Sequence, residues 1–243
     1  LLLTGSEAFA VGDVRQKPTI NSFTSYQLND TVYLYNVAAQ QFFLGANDWN
    51  TRASVGDKGY KVILVQTENG IELRDYVETQ SAVKATFAAA VDGIWVDNST
   101  EANRFWTFTQ KGDAYLINND LLSPELVLAW KGSADDTRLY LIDPATEGAG
   151  IEWKFVAPSV YEAYAAEQDV YAAGEALKEV LNQAEAINAN VAAQVAIYEN
   201  TASTAEELNQ AVTDAKAAIE AREKEIAQEG IANASVANPA DVT

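Results

Sequence analysis

Three short segments, separated by nearly equal lengths of chain, constrain this sequence more than anything else in it. Each is an aromatic residue, one spacer and an apolar residue: Tyr60-Lys61-Val62, Trp106-Thr107-Phe108 and Trp153-Lys154-Phe155. Tyr60 and Trp106 stand 46 residues apart, and Trp106 and Trp153 stand 47 apart. A fixed period of that length marks a repeated supersecondary unit whose apolar face is buried only when its copies pack together.

Aligned on these closing segments, each pass opens with an alternating strand: Val32-Tyr33-Leu34-Tyr35-Asn36, Ile71-Glu72-Leu73-Arg74-Asp75-Tyr76 and Ala114-Tyr115-Leu116-Ile117-Asn118. An apolar hairpin follows each one. Phe42-Phe43-Leu44-Gly45 turns through Asn47-Asp48-Trp49-Asn50 into Thr51 to Val55, and Ala85-Thr86-Phe87-Ala88 turns through Asp92-Gly93 into Ile94-Trp95-Val96. Leu126-Val127-Leu128-Ala129 turns through Lys131-Gly132-Ser133 into Arg138-Leu139-Tyr140-Leu141. Period-2 alternation, β-branched and aromatic residues and Asn/Asp/Gly turns are strand and hairpin chemistry. Three passes of four strands bury their apolar faces against one another and leave few open sheet edges.

This pattern resembles a β-trefoil of the ricin-type lectin kind, on Tyr33, Tyr115, Leu44-Gly45 and the closing Trp106-x-Phe108 and Trp153-x-Phe155. More narrowly, Tyr33-Leu34-Tyr35-Asn36-Val37 followed by Phe42-Phe43-Leu44-Gly45-Ala46 resembles trefoil modules of multidomain secreted and surface proteins of Bacteroidales. The resemblance covers about half of the chain and implies a carbohydrate-binding fold. It also has a departure: the ricin-type pattern places a glutamine two residues before the closing tryptophan, where this chain has Arg104 and Ile151.

After Ala157-Pro158 the composition shifts to alanine and glutamate. Ser159 to Glu162 and Thr204 to Glu207 both have the capping-box form, a hydroxyl followed three residues later by a carboxylate. Apolar residues at Tyr164, Val170, Leu177, Leu181, Ala184 and Ile187 follow the first, and Leu208, Val212, Ala215, Ile219 and Ile226 follow the second, at helical spacing. Val191, Val195 and Tyr198 lie between them. The expectation is therefore a β domain over 32–157 followed by an antiparallel helical hairpin or three-helix bundle over 158–229. Residues 1–31 read as an N-terminal arm, with Leu1-Leu2-Leu3 and Ala8-Phe9-Ala10 resembling the end of a signal peptide. Residues 230–243 read as a linker to a further domain.

The charge of the chain narrows its partners. It carries 16 basic and 35 acidic residues, a net −19, which opposes nucleic acid and anionic lipid. Residues 159–243 hold 15 of the acidic residues and four of the basic ones, a pattern expected of a solvated helical strut. Histidine and cysteine are absent, which excludes imidazole bases, serine triads, thiol nucleophiles and thiolate or imidazole metal sites. Carboxylate-only glycoside hydrolysis survives that filter, but the resemblance implies a module appended to catalytic domains. The chain is expected not to be an enzyme and to need no cofactor.

Sugar recognition combines aromatic faces with planar amide and carboxylate groups. In the first repeat Asn47, Asp48, Trp49 and Asn50 bring both to one hairpin tip, and in the third Trp130, Asp135 and Asp136 do so. These seven are the candidate ligand residues. Asp92, Trp95, Asp97 and Asn98 form a weaker set in the second repeat, while Trp106 and Trp153 read as core. Asp135-Asp136 and Asp97-Asn98 offer hard oxygens, but their spacing is not that of a calcium loop, and a solvated turn is the expectation. Asp30-Thr31-Val32 resembles the O-glycosylation acceptor of exported Bacteroidetes proteins. Together these features predict a lectin-like or adhesive module, extracellular or at the cell surface, whose partner is a glycan or a surface protein. The alternative is a structural component of a surface assembly without sugar binding.

Overall fold

The computed structural model describes residues 11–47, 52–75, 86–90, 93–97, 102–119 and 123–237. They divide into two compact units, residues 20–163 and residues 1–19 with 164–243.

In the first unit, twelve strands are found among the described residues: β1 (Thr31–Asn36), β2 (Gln41–Asn47), β3 (Arg52–Gly56), β4 (Val62–Thr67), β5 (Gly70–Asp75), β6 (Thr86–Ala90), β7 (Gly93–Asp97), β8 (Phe105–Lys111), β9 (Ala114–Asn119), β10 (Ser123–Trp130), β11 (Leu139–Ile142) and β12 (Trp153–Val156). Antiparallel pairing runs β1 to β4, β4 to β5, β5 to β8, β8 to β9, β9 to β12 and β12 back to β1. Six strands thus close a barrel, and no edge remains within the ring. The other six form three hairpins, β2 with β3, β6 with β7 and β10 with β11. Each pass of the sequence repeat supplies two ring strands and one hairpin.

Alternation along the strands decides what fills the ring. Leu34 of β1, Leu64 of β4, Leu73 of β5, Trp106 of β8, Ile117 of β9 and Phe155 of β12 belong to one buried cluster with Phe43, Ile94, Leu128 and Leu139 of the hairpins. Trp106 and Trp153 are core residues, as their place in the closing strands predicts. Tyr60 lies just before β4, partly buried against the same cluster. Thr24 bridges to Phe155, and the Tyr26 ring packs against Phe108, Tyr115 and Phe155 at centroid distances of 5.0, 5.4 and 5.5 Å. The part of the arm from Ile20 onward is therefore built into the β unit.

Arg104, where the ricin-type pattern has glutamine, has a different task. It ends a 3-10 turn (Ala102–Arg104) and its Nε donates to Glu72 Oε1 at 2.8 Å, while Arg74 Nε donates to Glu72 Oε2 at 2.6 Å. Glu72 is only 5% exposed. Burial alone would raise its carboxyl pKa, but the hydrogen bonds and charges of Arg104 and Arg74 outweigh it and hold the group below the ordinary range.

Three helices follow: α1 (Pro158–Ala186), α2 (Ala192–Glu199) and α3 (Ala205–Ala237). The described helices thus number three, and none is long and apolar enough to cross a membrane. The capping box expected at Ser159 is not what starts α1. Pro158 occupies the first turn, where its missing N–H costs nothing, and the N–H groups of Val160 and Tyr161 donate to Ala157 O at 3.1 and 3.0 Å. Glu162 faces Lys61 instead, at 3.7 Å. Tyr161 is what the first turn contributes to the β unit. Its ring stacks on Tyr33 at 3.6 Å and 13°, and its hydroxyl accepts from Gly59 N at 2.8 Å.

The second capping box forms as expected. Thr204 N donates to Glu207 Oε2 at 2.8 Å and Glu207 N donates to Thr204 Oγ1 at 3.2 Å. α3 runs on to Ala237, so the fading of apolar periodicity at Gly230 does not end the helix. Along this part of the helix Glu223 to Gly230 are all exposed.

The second unit's core joins Leu177, Leu181 and Ala184 of α1, Tyr198 of α2 and Leu208, Ala211 and Ala215 of α3, with Val11 and Val14 of the arm packed against it. The alanines among them are the small residues that allow helices to approach closely. The arm is tied in by polar contacts as well. Val11 N donates to Asn182 Oδ1 at 3.1 Å, Asp13 pairs with Lys178, and Tyr198 Oη donates to Gly12 O at 3.0 Å. Arg15 crosses Gly174, where a Cβ would lie 2.9 Å from the Arg15 Cδ, and donates to Tyr198 O at 2.7 Å and Asn200 O at 2.8 Å. A cation on the last carbonyls of a helix is favoured by the helix dipole and by charge-assisted hydrogen bonding. Arg15→Ala is expected to destabilise the helical unit by about 2 kcal/mol, read from the helical circular dichroism during urea unfolding. An unchanged midpoint would show that the arm does not hold α2.

Candidate functional site

Of the seven candidate ligand residues, Asp48, Trp49 and Asn50 lie outside the described residues, and Asn47 is described only as the last residue of β2. Trp130, Asp135 and Asp136 are placed by the third hairpin. Trp130 ends β10 opposite Leu139 of β11 and exchanges backbone hydrogen bonds with Gly150, N to O at 3.1 Å and O from N at 2.8 Å. Its ring is partly buried against the core, and its indole N–H donates to the carbonyls of Ser133 and Asp136 at 3.1 and 3.0 Å. Trp130 and Asp136 are thus brought together through the loop backbone. Asp135 is exposed in the same loop. Among the described residues no group of three or more carboxylates is arranged to hold a metal ion.

The Asp136 carboxylate is held on both sides. Arg138 Nε donates to Oδ1 at 2.7 Å, Arg138 N donates to the same oxygen at 3.2 Å, and Tyr140 Oη donates to Oδ2 at 2.8 Å. The Arg138 hydrogen bond is the main cause that holds the Asp136 pKa down at about 2, so the group is ionised at neutral and mildly acidic pH. Tyr140 is moved up, by burial first and by the Asp136 hydrogen bond second. The carboxylate is fixed in place rather than poised for proton transfer.

Around Tyr140 the sequence reading missed a gathering of cations. Lys131 Nζ lies 3.6 Å from the Tyr140 ring centroid, Arg52 Cζ lies 5.1 Å from it and Arg138 Cζ lies 6.0 Å from it. Arg52 also lies over the Trp95 ring at 5.2 Å and is 6% exposed. The fold assembles these from three hairpins. Arg52 of β3 is opposite Trp95 of β7, and Val55 N donates to Thr137 O at 2.8 Å, which ties β3 to the chain entering β11. Gly93 leaves the room: a Cβ there would lie 2.7 Å from an Arg52 terminal nitrogen. One local signal was present, since Arg138-Leu139-Tyr140 alternates and puts Arg138 and Tyr140 on the face opposite the buried Leu139. Arg52 carried no such signal, because its ring partners come from other repeats.

The arrangement can offer aromatic surface, a fixed acceptor and cations at the loop end of one hairpin. That is recognition chemistry.

No protein-family model matches the chain, and no curated protein matches it either. Solved structures similar to it include the lysenin pore, at 16% identity over 53% of this chain, with a TM-score of 0.43. The match spans 46% of the lysenin chain, so this chain spans about half of that protein's length. A ricin B-like lectin of Macrolepiota procera in complex with lactose is 18% identical over 56% of this chain and all of its own, with a TM-score of 0.43. An endo-β-galactosidase from Clostridium perfringens is 11% identical over 52% of this chain and 32% of its own, also with a TM-score of 0.43.

Proposed function

We propose that the β unit is a β-trefoil acting as a non-catalytic, lectin-like carbohydrate-binding module of an exported surface protein, with the helical unit as a spacer. The trefoil reading rests on the six-strand ring and the three hairpins that fall one to each sequence repeat. Sugar binding rests on one observation, the convergence of Trp130, Tyr140, the fixed Asp136 carboxylate and cations at the third hairpin. Aromatic faces take the apolar side of a sugar ring and fixed charged groups orient its hydroxyls, the usual division of labour in a small-ligand site. The non-catalytic reading draws on Glu72 and Asp136, two carboxylates that arginines hold ionised, whereas a general acid needs its pKa raised. The exported location is proposed on the Bacteroidales resemblance and on the signal-peptide-like residues Leu1 to Ala10.

A second reading, a structural or protein-interaction module, draws on the same loop. The Trp130 N–H and both Asp136 oxygens already have partners within the chain. A broad glycan panel separates the two, with Trp49→Ala and Trp130→Ala beside the parent chain and circular dichroism to confirm that each variant is folded. Binding by the parent that weakens about tenfold or more in folded Trp130→Ala supports the lectin reading, a loss typical of removing one central aromatic contact. Absence of binding across the panel turns the assignment to the structural role.

A further inference from the structure

A cleft of about 620 Å³ lies in the helical unit, within the ~300–1,000 Å³ range of small-molecule sites. Its walls are the last turns of α1, the α1–α2 connection, one face of α2 and residues 11–14 of the arm. Val11, Val14, Leu181, Val191 and Val195 make the lining largely apolar. Glu185 follows Leu181 by four residues and Glu199 follows Val195 by four, so helical spacing brings one carboxylate from each helix to the cleft. Glu185 is half-buried and Glu199 exposed, and among the described residues neither has a cation within ion-pair distance. The surrounding charges do not neutralise this pair. Lys178 is held by Asp13, and Arg222 by Glu225, Glu229 and the Ile187 carbonyl. Arg15 is held on the carbonyls that end α2, and counted in full it still leaves the two free carboxylates in excess. Asp13, Glu185 and Glu199 are the charged residues that line the cleft. α2 brings its positive N-terminal end to it and α1 its negative C-terminal end, each about half a charge, so the two dipoles oppose one another.

We propose that this cleft binds a small organic cation, an amine on an apolar body, with the ammonium on the Glu185 and Glu199 carboxylates and the body against Val11, Val14 and Val195. Charge complementarity selects this occupant. An anion meets two unpaired carboxylates, a neutral apolar molecule leaves them without a counter-charge, and an ammonium gains charge-assisted hydrogen bonds to both. The size of the cleft suits a small molecule, and its apolar lining supplies affinity that an inorganic cation has no means to use. The site goes beyond a spacer role for the helices and is independent of sugar binding by the β unit.

The test uses the whole chain, backbone amide NMR titration at about 0.15 M salt to screen distant charges, and three probes with one apolar body: 4-phenylbutylamine, 4-phenylbutan-1-ol and 4-phenylbutanoate. The amine is expected to bind about tenfold or more tightly than the alcohol, the scale of a charge-assisted contact, to shift the amides of Ala189, Ala192 and Val195, and to exceed the carboxylate further. Glu185→Gln with Glu199→Gln keeps the shape and should reduce the amine to the level of the alcohol. Glu220→Gln with Glu223→Gln, two exposed α3 carboxylates that do not line the cleft, should leave amine binding unchanged. Ala192→Trp fills the cleft from an exposed position and should abolish binding of the amine and the alcohol alike. Should that variant fail to fold by circular dichroism, the two glutamine pairs decide. Equal affinity for amine and alcohol, an equal loss in both glutamine pairs, or binding that survives in folded Ala192→Trp overturns the assignment. So does absence of amine binding, and a dimer that Ala192→Trp dissociates would then give the cleft to a second copy of the chain.

Discussion

Replacing Glu72 with alanine is expected to cost the β unit about 3–5 kcal/mol, the scale for removing one member of a buried ion pair and leaving its partners unneutralised. Arg74 and Arg104 side chains are only 15% and 19% exposed, so their charges would lose the carboxylate that compensates their burial. All five tryptophans lie between residues 20 and 163, so intrinsic fluorescence during urea unfolding reports the β unit by itself. Glu72→Gln keeps the volume and removes the charge, and most of the loss should persist. Arg104→Gln, which installs the residue of the ricin-type pattern, is expected to destabilise as well, because it leaves Glu72 with Arg74 as its remaining charge-paired partner. Acid works in the same direction. The folded Glu72 pKa is depressed, so its contribution is fully present above the ordinary glutamate value and is lost as pH falls through the folded one. The gap between the parent chain and Glu72→Ala should therefore narrow with acidification. A loss under about 1 kcal/mol at neutral pH, the size of an exposed pair, would mean that this carboxylate is not the internal brace of the ring.

Trp153→Ala is the second large effect, also about 3–5 kcal/mol, the range for truncating a large buried aromatic. Trp153 is fully buried, its indole N–H donates to Leu128 O at 2.8 Å, and its ring lies 6.3 Å from Phe43. The residue joins ring strand β12 to hairpin strand β10 through that hydrogen bond and to β2 through packing. Trp153→Phe preserves most of the packing and loses the donor, so it should cost less than the alanine variant. Equal midpoints for the alanine variant and the parent chain would place this residue outside the cooperative core.

The order of elements was readable because strand chemistry is local. Alternating Val32 to Asn36 and Ala114 to Asn118, and the turns between paired apolar runs, are short-range signals, and their recurrence at 46 and 47 residues identifies the unit that repeats. Thr204 and Glu207 were readable for the same reason, since a capping box involves one turn of helix. Ser159 and Glu162 have the same form but did not form the box, because Pro158 begins the helix and Lys61 lies near Glu162. In the candidate site, Trp130 and Asp136 were legible as turn-rich aromatic and acidic residues. Their link was not, as it runs from an indole N–H to a backbone carbonyl.

Sequence alone determined that the chain would be β and then α, that three copies of one unit would share a core, and that imidazole and thiol chemistry would be absent. Each of these depends on residue type or on spacing along the chain. Tertiary structure decided which strands close the ring, that residues 11–19 join the helices while Thr24 and Tyr26 join the barrel, and that Arg104 neutralises Glu72. It also decided that Arg52, Lys131 and Arg138 meet at Tyr140. These are contacts between residues up to 186 positions apart, and they arise only when burying the apolar faces of the repeats and helices draws their polar neighbours together.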